Sequence, residues 1–377
     1  MKVLTVIGTR PEALKLGPVI QCLARTPGVQ SLVCTTGQHR ELLTDALALF
    51  GVRPDFDLAV MRPRQTPGTV LAAILQRLEP LLAQVRPDWL VVVGDTTSAL
   101  GAGIAAHHCQ VRLAHVEAGL RSGSRRDPFP EEANRRLLSV LAELNFAPTA
   151  QARENLRQEN IPSRAIRVTG NPVIDTLRQC GSQPAPAAVG KVLRQLGLGA
   201  APAPGDPRLV VVTCHRRENH GAPLRQVCAA VRDLASRNRG SVRILFVVHP
   251  NPAVRGTVRR ELAGVRDVTL AEPLAYPTLI GLLRRAYVVL TDSGGLQEEA
   301  PWLRVPVLVL RDNTERPEGV AAGVARLVGT RRQAIVAATQ RLLDRPAVHR
   351  AMAKGFRGYG DGHAAPRIVR ALARHLG

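Results

Sequence analysis

Short aliphatic and β-branched runs recur along the chain, separated by longer stretches whose apolar positions return every three or four residues. The first set lies at residues 3–7, 32–35, 90–93, 112–116, 144–147 and 166–168. Runs this short and continuously apolar predict buried parallel strands in βαβ units. Residues 181–207 are rich in Pro, Ala and Gly, hold a short helical piece at 189–196, and predict a linker region. The pattern restarts at 209–213, 244–248, 268–270, 288–291, 307–310 and 326–328, and a last helix is expected at 366–376. The fold class is therefore α/β, with two Rossmann-like doubly wound domains, residues 1–180 plus 363–377 and residues 208–362.

Polar residues gather where these strands end. The clusters are Gly8-Thr9-Arg10-Pro11-Glu12, Thr36-Gly37-Gln38-His39-Arg40, Gly94-Asp95-Thr96-Thr97, Glu117-Ala118-Gly119, Cys214-His215-Arg216-Arg217-Glu218, His249-Pro250-Asn251-Pro252 and Asp292-Ser293-Gly294-Gly295. Open α/β sheets bind ligands outside the carboxyl ends of their strands. Two such edges facing each other would form an interdomain cleft.

Among these clusters, Ser293-Gly294-Gly295 leaves a strand and enters a helix, where backbone N–H groups suit a diphosphate or where the serine simply caps the helix. It lacks the G-K-[ST] of a P-loop. Gly8-Thr9-Arg10-Pro11 is a second candidate, with Lys15 a turn further on. Gly101-Ala102-Gly103-Ile104-Ala105-Ala106 matches a loose dinucleotide fingerprint but starts well after its strand has ended, so close helix packing is the better reading and no nicotinamide site is visible.

Composition adds a charge of +21, from 51 Lys+Arg against 30 Asp+Glu, which raises the question of a nucleic-acid partner. Only Lys2, Lys15, Lys191 and Lys354 are lysines, so 51 − 4 = 47 cations are arginine, and aromatics are 3% of the chain. That skew reads as background, and the scarcity of rings argues against base stacking and for a small anionic substrate. It also singles out Lys15 as a position suited to a compact ammonium charge. The six cysteines have no metal or disulfide spacing, and no run of 18 apolar residues exists, so the expectation is a cytoplasmic protein with no membrane or nucleic-acid partner.

Asp95 and Glu117 each follow a strand, and Glu131-Glu132 open a helix after Pro128-Phe129-Pro130. Carboxylates gathered at one sheet edge suit general acid–base chemistry, although each alone could be a cap or an ion-pair partner. His215, between a strand and two arginines, is a candidate to face them or to make a structural hydrogen bond. No zinc helix or serine-nucleophile elbow is present, and no metal is expected.

With these motifs the chain closely resembles the non-hydrolysing UDP-N-acetylglucosamine 2-epimerases. The matching residues are 8–15, 38–40, 94–97, 115–121, 130–135, 215–219, 291–301, 314–318 and 359–362, in the family's order. The resemblance implies a glycosyltransferase-B-like pair of domains, with the last helix crossing back to the first, and a homodimer. It implies interconversion of UDP-N-acetylglucosamine and UDP-N-acetylmannosamine with no cofactor, by elimination of UDP to 2-acetamidoglucal and re-addition. Position by position, it implies UDP binding by Arg10, Lys15, Ser293, Gly294, Gly295 and Arg316, ribose contact by Glu299, and uracil contact by Leu274 and Leu279. It implies catalytic roles for Asp95, Glu117, Glu131 and His215, with Arg135 in the substrate-binding set, and a second substrate molecule as activator near Gln38, His39 and Arg64. A glycosyltransferase using a UDP-sugar donor on the same fold is the alternative, and would need an acceptor.

Overall fold

The computed structural model describes residues 1–37, 40–62, 65–201 and 203–375. Its contacts divide the chain into two units, Met1–Gln179 with Gly358–Gly377, and Cys180–Arg357. The first is built on β1 (Lys2–Ile7), β2 (Gln30–Thr35), β3 (Phe56–Asp57), β4 (Trp89–Val93), β5 (Arg112–Val116), β6 (Leu144–Ala147) and β7 (Ile166–Val168). They form a parallel sheet in the order β3-β2-β1-β4-β5-β6-β7. The central β4, Trp-Leu-Val-Val-Val, is buried along its whole length, as expected of a strand covered by helices on both faces.

The second unit holds β8 (Arg208–Thr213), β9 (Val242–Val247), β10 (Val268–Ala271), β11 (Ala286–Thr291), β12 (Val307–Val309) and β13 (Ala325–Leu327). Its order, β10-β9-β8-β11-β12-β13, repeats the first. In each unit the winding direction reverses once, between β1 and β4 and between β8 and β11. Loops after those neighbouring strands part there, opening the crevice where doubly wound sheets hold ligands.

Every strand expected from the apolar runs is present. The short β3 is an addition. It pairs only Cys34 with Phe56 and Thr35 with Asp57, too little for a period to show. The last helix, Ala364–Arg374, starts two residues before the expected 366 because Asp175 accepts hydrogen bonds from the Ala364 and Ala365 N–H groups at 3.1 and 2.9 Å. Within residues 181–207, helix Ala187–Gln195 buries Val189 and Leu193, and Gly281 of helix Tyr276–Leu283 leaves the room that Val189 occupies. That stretch packs as part of the second unit.

Gly101 and Gly103 lie inside helix Thr97–His108, at close contacts. A Cβ at Gly101 would come 2.9 Å from Ile74, and one at Gly103 would come 2.6 Å from Leu138. All six cysteines are outside disulfides, and burial pushes the Cys34 and Cys228 thiols up to about 12. Among the described residues, no helix is long and apolar enough to cross a membrane.

Candidate active site

In the first unit, β4 and β5 lie side by side with Val93 opposite Val116, so Asp95 and Glu117 leave adjacent strand ends. Glu117 takes a left-handed backbone conformation, φ 61°, a strain that non-glycine residues accept where surrounding contacts over-determine the chain. Its carboxylate is 3% exposed; one oxygen pairs with the Lys15 ammonium and the other accepts the Asn171 side-chain amide at 3.0 Å. Asp95 is held differently, with 28% of its side chain exposed and a charge-assisted bond from Arg135. Asn134 donates to the Asp95 carbonyl at 2.9 Å, fixing the loop itself.

Asn134 and Arg135 belong to helix Glu131–Leu141. Of the acidic pair that opens it, Glu132 is fully buried and structural, accepting from Ser122 N–H at 3.1 Å and Arg136 at 3.2 Å. Glu131 stays half-buried, one turn before Arg135 and therefore on the same helix face. Arg10 is half-buried at the start of helix Arg10–Ala24.

Two buried groups support this edge. Glu12 accepts from the Gly8 and Thr9 N–H groups at 2.6 and 2.7 Å and from the Thr96 hydroxyl at 2.6 Å, tying the loop after β1 to the loop after β4. Burial pushes the Glu12 carboxyl above its usual range, against the pull of these bonds. His115 donates from Nε2 to the Gly94 carbonyl at 2.7 Å, and burial lowers its pKa to about 4, which keeps it neutral.

In the second unit, the corresponding junction is organised by Asp292, fully buried after β11. One of its oxygens accepts from His215 N–H, Arg216 N–H and the Asn219 amide, each at 2.9 Å. The other lies 3.2 Å from Nδ1 of His215, whose ring stacks on His249 at 5.2 Å between centroids. Burial alone would raise Asp292, but His215 and these donors hold it below its ordinary value, so it is the charged member of the pair. Burial lowers His215 against the pull of Asp292, while 34% of its side chain remains exposed.

Helix Gly294–Trp302 begins here with no side-chain cap from Ser293 and no acid in its first turn, leaving its N-terminus suited to an anion. The Arg316 guanidinium lies directly over Gly294, where a Cβ would come within 2.6 Å, and is fixed by buried Glu298 at 2.7 Å. Next to Gly295, Glu299 accepts the Tyr276 hydroxyl at 2.9 Å. Leu274 and Leu279 are half-buried on either side of Tyr276 in sequence.

The structure thus brings together Lys15, Asp95, Glu117 and Arg135 in the first unit. In the second it brings Gly294 and Arg316 into contact, with Ser293, Gly295 and Glu299 on the same helix start. His215 sits at the end of the neighbouring strand. The positions expected for an activator, Gln38, His39 and Arg64, lie outside the described residues. Sequence reasoning placed Glu12 and Asp292 in strand-end clusters and Glu298 in the matching stretch 291–301 without giving them roles, and did not name Asn171 or Tyr276. Asn171 had a usable signal, because Thr169-Gly170-Asn171-Pro172 is one more polar cluster at a strand end.

Residues 21–373 match the family model described as UDP-N-acetylglucosamine 2-epimerase. The chain is 44% identical over 372 residues to the UDP-N-acetylglucosamine 2-epimerase of Escherichia coli (strain K12), covering 99% of this chain and 98% of that protein. Its structure is similar to the crystal structure of the Neisseria meningitidis UDP-GlcNAc 2-epimerase bound to UDP-GlcNAc, with a TM-score of 0.93, 41% identity and coverage of 99% and 100% of the two chains. It is also similar to the Methanocaldococcus jannaschii UDP-GlcNAc 2-epimerase in complex with UDP-GlcNAc and UDP, with a TM-score of 0.86, 30% identity and coverage of 99% and 100%. Two parallel-sheet units of the glycosyltransferase-B-like type, and identity of this extent along the whole length, show that the chain belongs to the UDP-N-acetylglucosamine 2-epimerase family.

Proposed function

We propose that the chain interconverts UDP-N-acetylglucosamine and UDP-N-acetylmannosamine by eliminating UDP and adding it back, as a non-hydrolysing epimerase. The observation that carries this reading is the pair of carboxylates at adjacent strand ends, Asp95 and Glu117, held by different partners. Inverting carbon 2 requires that a proton leave one face and another arrive on the opposite face. Its hydrogen is not activated by a neighbouring carbonyl, so the bond from carbon 1 to UDP breaks first, its electron pair leaving with the diphosphate. The oxocarbenium-like carbon 1 acidifies the hydrogen on carbon 2, a carboxylate takes the proton, and 2-acetamidoglucal results. Protonation at carbon 2 from the other face and attack of the UDP oxygen on carbon 1 complete the cycle.

Asp95, Glu117 and Glu131 supply the proton-transferring groups in this reading. The second unit stabilises the leaving diphosphate through the helix start at Ser293, Gly294 and Gly295, with Arg316 and His215, and places the ribose against Glu299 and the uracil near Leu274 and Leu279. Arg10 and Lys15 add positive charge. Incubation with UDP-N-acetylglucosamine in deuterated water, followed by NMR, tests the route. Deuterium at carbon 2 together with a UDP-N-acetylmannosamine signal is expected; product formed without deuterium refutes elimination. Asp95→Asn should slow exchange by about 10² to 10⁴ while UDP affinity stays near wild type.

A further inference from the structure

We infer that Asn171 is a positioning residue for this reaction, its side-chain amide fixing the orientation of the Glu117 carboxylate. The inference rests on the assignment of Glu117 as a proton-transferring group. Asn171 is fully buried, and its amide donates to Glu117 at 3.0 Å across 54 residues of sequence. The amide cannot turn away without loss, because its oxygen accepts the Val173 N–H at 3.3 Å at the start of helix Pro172–Gly181. Nor can its backbone shift freely. The Asn171 N–H donates to the Tyr359 carbonyl at 2.7 Å, Tyr359 is 2% exposed, and a Cβ at Gly170 would stand 3.1 Å from the Gly360 Cα. Asn171 is therefore bound to both segments that adjoin the chain's passages between units, the helix running past Gln179 and the residues just after Arg357.

The choice of an amide has a chemical reason. Lys15 already holds the other Glu117 oxygen in an ion pair. A neutral donor fixes the carboxylate in space without adding a second cation beside the group assigned to proton transfer. Among the described residues, the charged and titratable groups beside Glu117 include Lys15 from helix Arg10–Ala24, which pairs with it, Asp95 with its partner Arg135 at the adjacent strand end, and His115 two residues upstream.

The test compares wild type, Asn171→Asp, Asn171→Ser and Glu117→Gln by steady-state kinetics and carbon-2 deuterium exchange from about pH 5.5 to 9, with folding followed by circular dichroism. Asn171→Asp keeps the shape and the helix-start acceptor but sets a second carboxylate against Glu117. The acid limb of the kcat profile should move up by about one pH unit or more, with KM within about threefold of wild type. Asn171→Ser keeps a helix-starting hydroxyl but cannot reach Glu117, and should lower kcat roughly ten- to a hundredfold with a smaller upward shift, since a lost neutral donor disfavours the ionised carboxylate less than an added charge does. It carries the test through the kcat-against-KM split if Asn171→Asp does not fold. An inactive Glu117→Gln beside an unshifted Asn171→Asp, or a KM that rises in step with falling kcat, overturns the inference alone. Wild-type exchange in Glu117→Gln overturns the Glu117 assignment and the inference with it. Loss of folding in both Asn171 variants leaves a purely structural role and also overturns it.

Discussion

Replacing Glu12 separates its hydrogen-bonding role from its charge. Its carboxylate accepts from the buried Gly8 N–H, the Thr9 N–H and the Thr96 hydroxyl. In Glu12→Ala two backbone donors lose this acceptor, at about 1–3 kcal/mol each, while the Thr96 hydroxyl can turn elsewhere. The expected loss is about 2–6 kcal/mol. In Glu12→Gln the amide oxygen can take both N–H groups and the NH2 can face Thr96 Oγ1, so the cost near neutral pH is under about 1 kcal/mol, weaker bonds being offset by the absence of a buried charge. Because the chain has two units and need not unfold in one step, the direct readout is hydrogen exchange at Gly8 and Thr9. A loss of about 2 kcal/mol accelerates exchange about thirtyfold. The sign with pH is also fixed. The folded state binds the Glu12 proton more tightly than the unfolded chain does, so the wild-type contribution is greatest where Glu12 is protonated. It falls as pH rises above 4.5 through the raised folded value. Glu12→Gln lacks that slope. Equal losses in Gln and Ala variants, or an Ala variant with unchanged exchange, would refute the reasoning.

Gly294→Ala should force the Arg316 guanidinium off the helix start, since Glu298 leaves it little room to yield; UDP affinity by calorimetry should fall about tenfold or more, and an unchanged Kd would separate Arg316 from nucleotide binding. Gly103→Ala drives a Cβ into Leu138, on the helix that carries Arg135, and should destabilise the first unit by about 1–3 kcal/mol, read as faster hydrogen exchange in helix Thr97–His108; unchanged exchange would contradict the close contact. His115, lowered to about 4, should show neutral imidazole nitrogen shifts from about pH 5.5 upward; a midpoint above 6 contradicts its burial. Because its folded value lies below 6.5, its contribution to stability is present above that pH and fades as pH falls from 6.5 towards 4.

The apolar runs were enough to place every long strand, because a strand covered on both faces is mainly apolar, and a polar residue inside it, such as His115, is hydrogen-bonded. Polar residues at the ends of those runs marked the sheet edge that gathers the candidate site, since a covered sheet leaves its loop ends open to solvent. Order along the chain could not show which of those residues meet. Lys15 and Glu117 are 102 residues apart, and Asp175 caps a helix that begins 189 residues later. Local pattern alone does not distinguish Glu131 from Glu132, neighbours of identical chemistry; only the family resemblance singled out Glu131, and in the fold helix rotation buries Glu132 among Ser122 and Arg136 and leaves Glu131 half-buried near Arg135. The strand-end cluster 169–172 marked the segment that holds Asn171, but its bond to Glu117, 54 residues away, was hidden for the same reason. Local pattern determines which segments become strands and helices, because burial acts on each segment separately. Pairing of charges and donors depends on where the folded chain returns, so only the tertiary structure decided which carboxylates are fixed, which are buried, and which stay partly exposed.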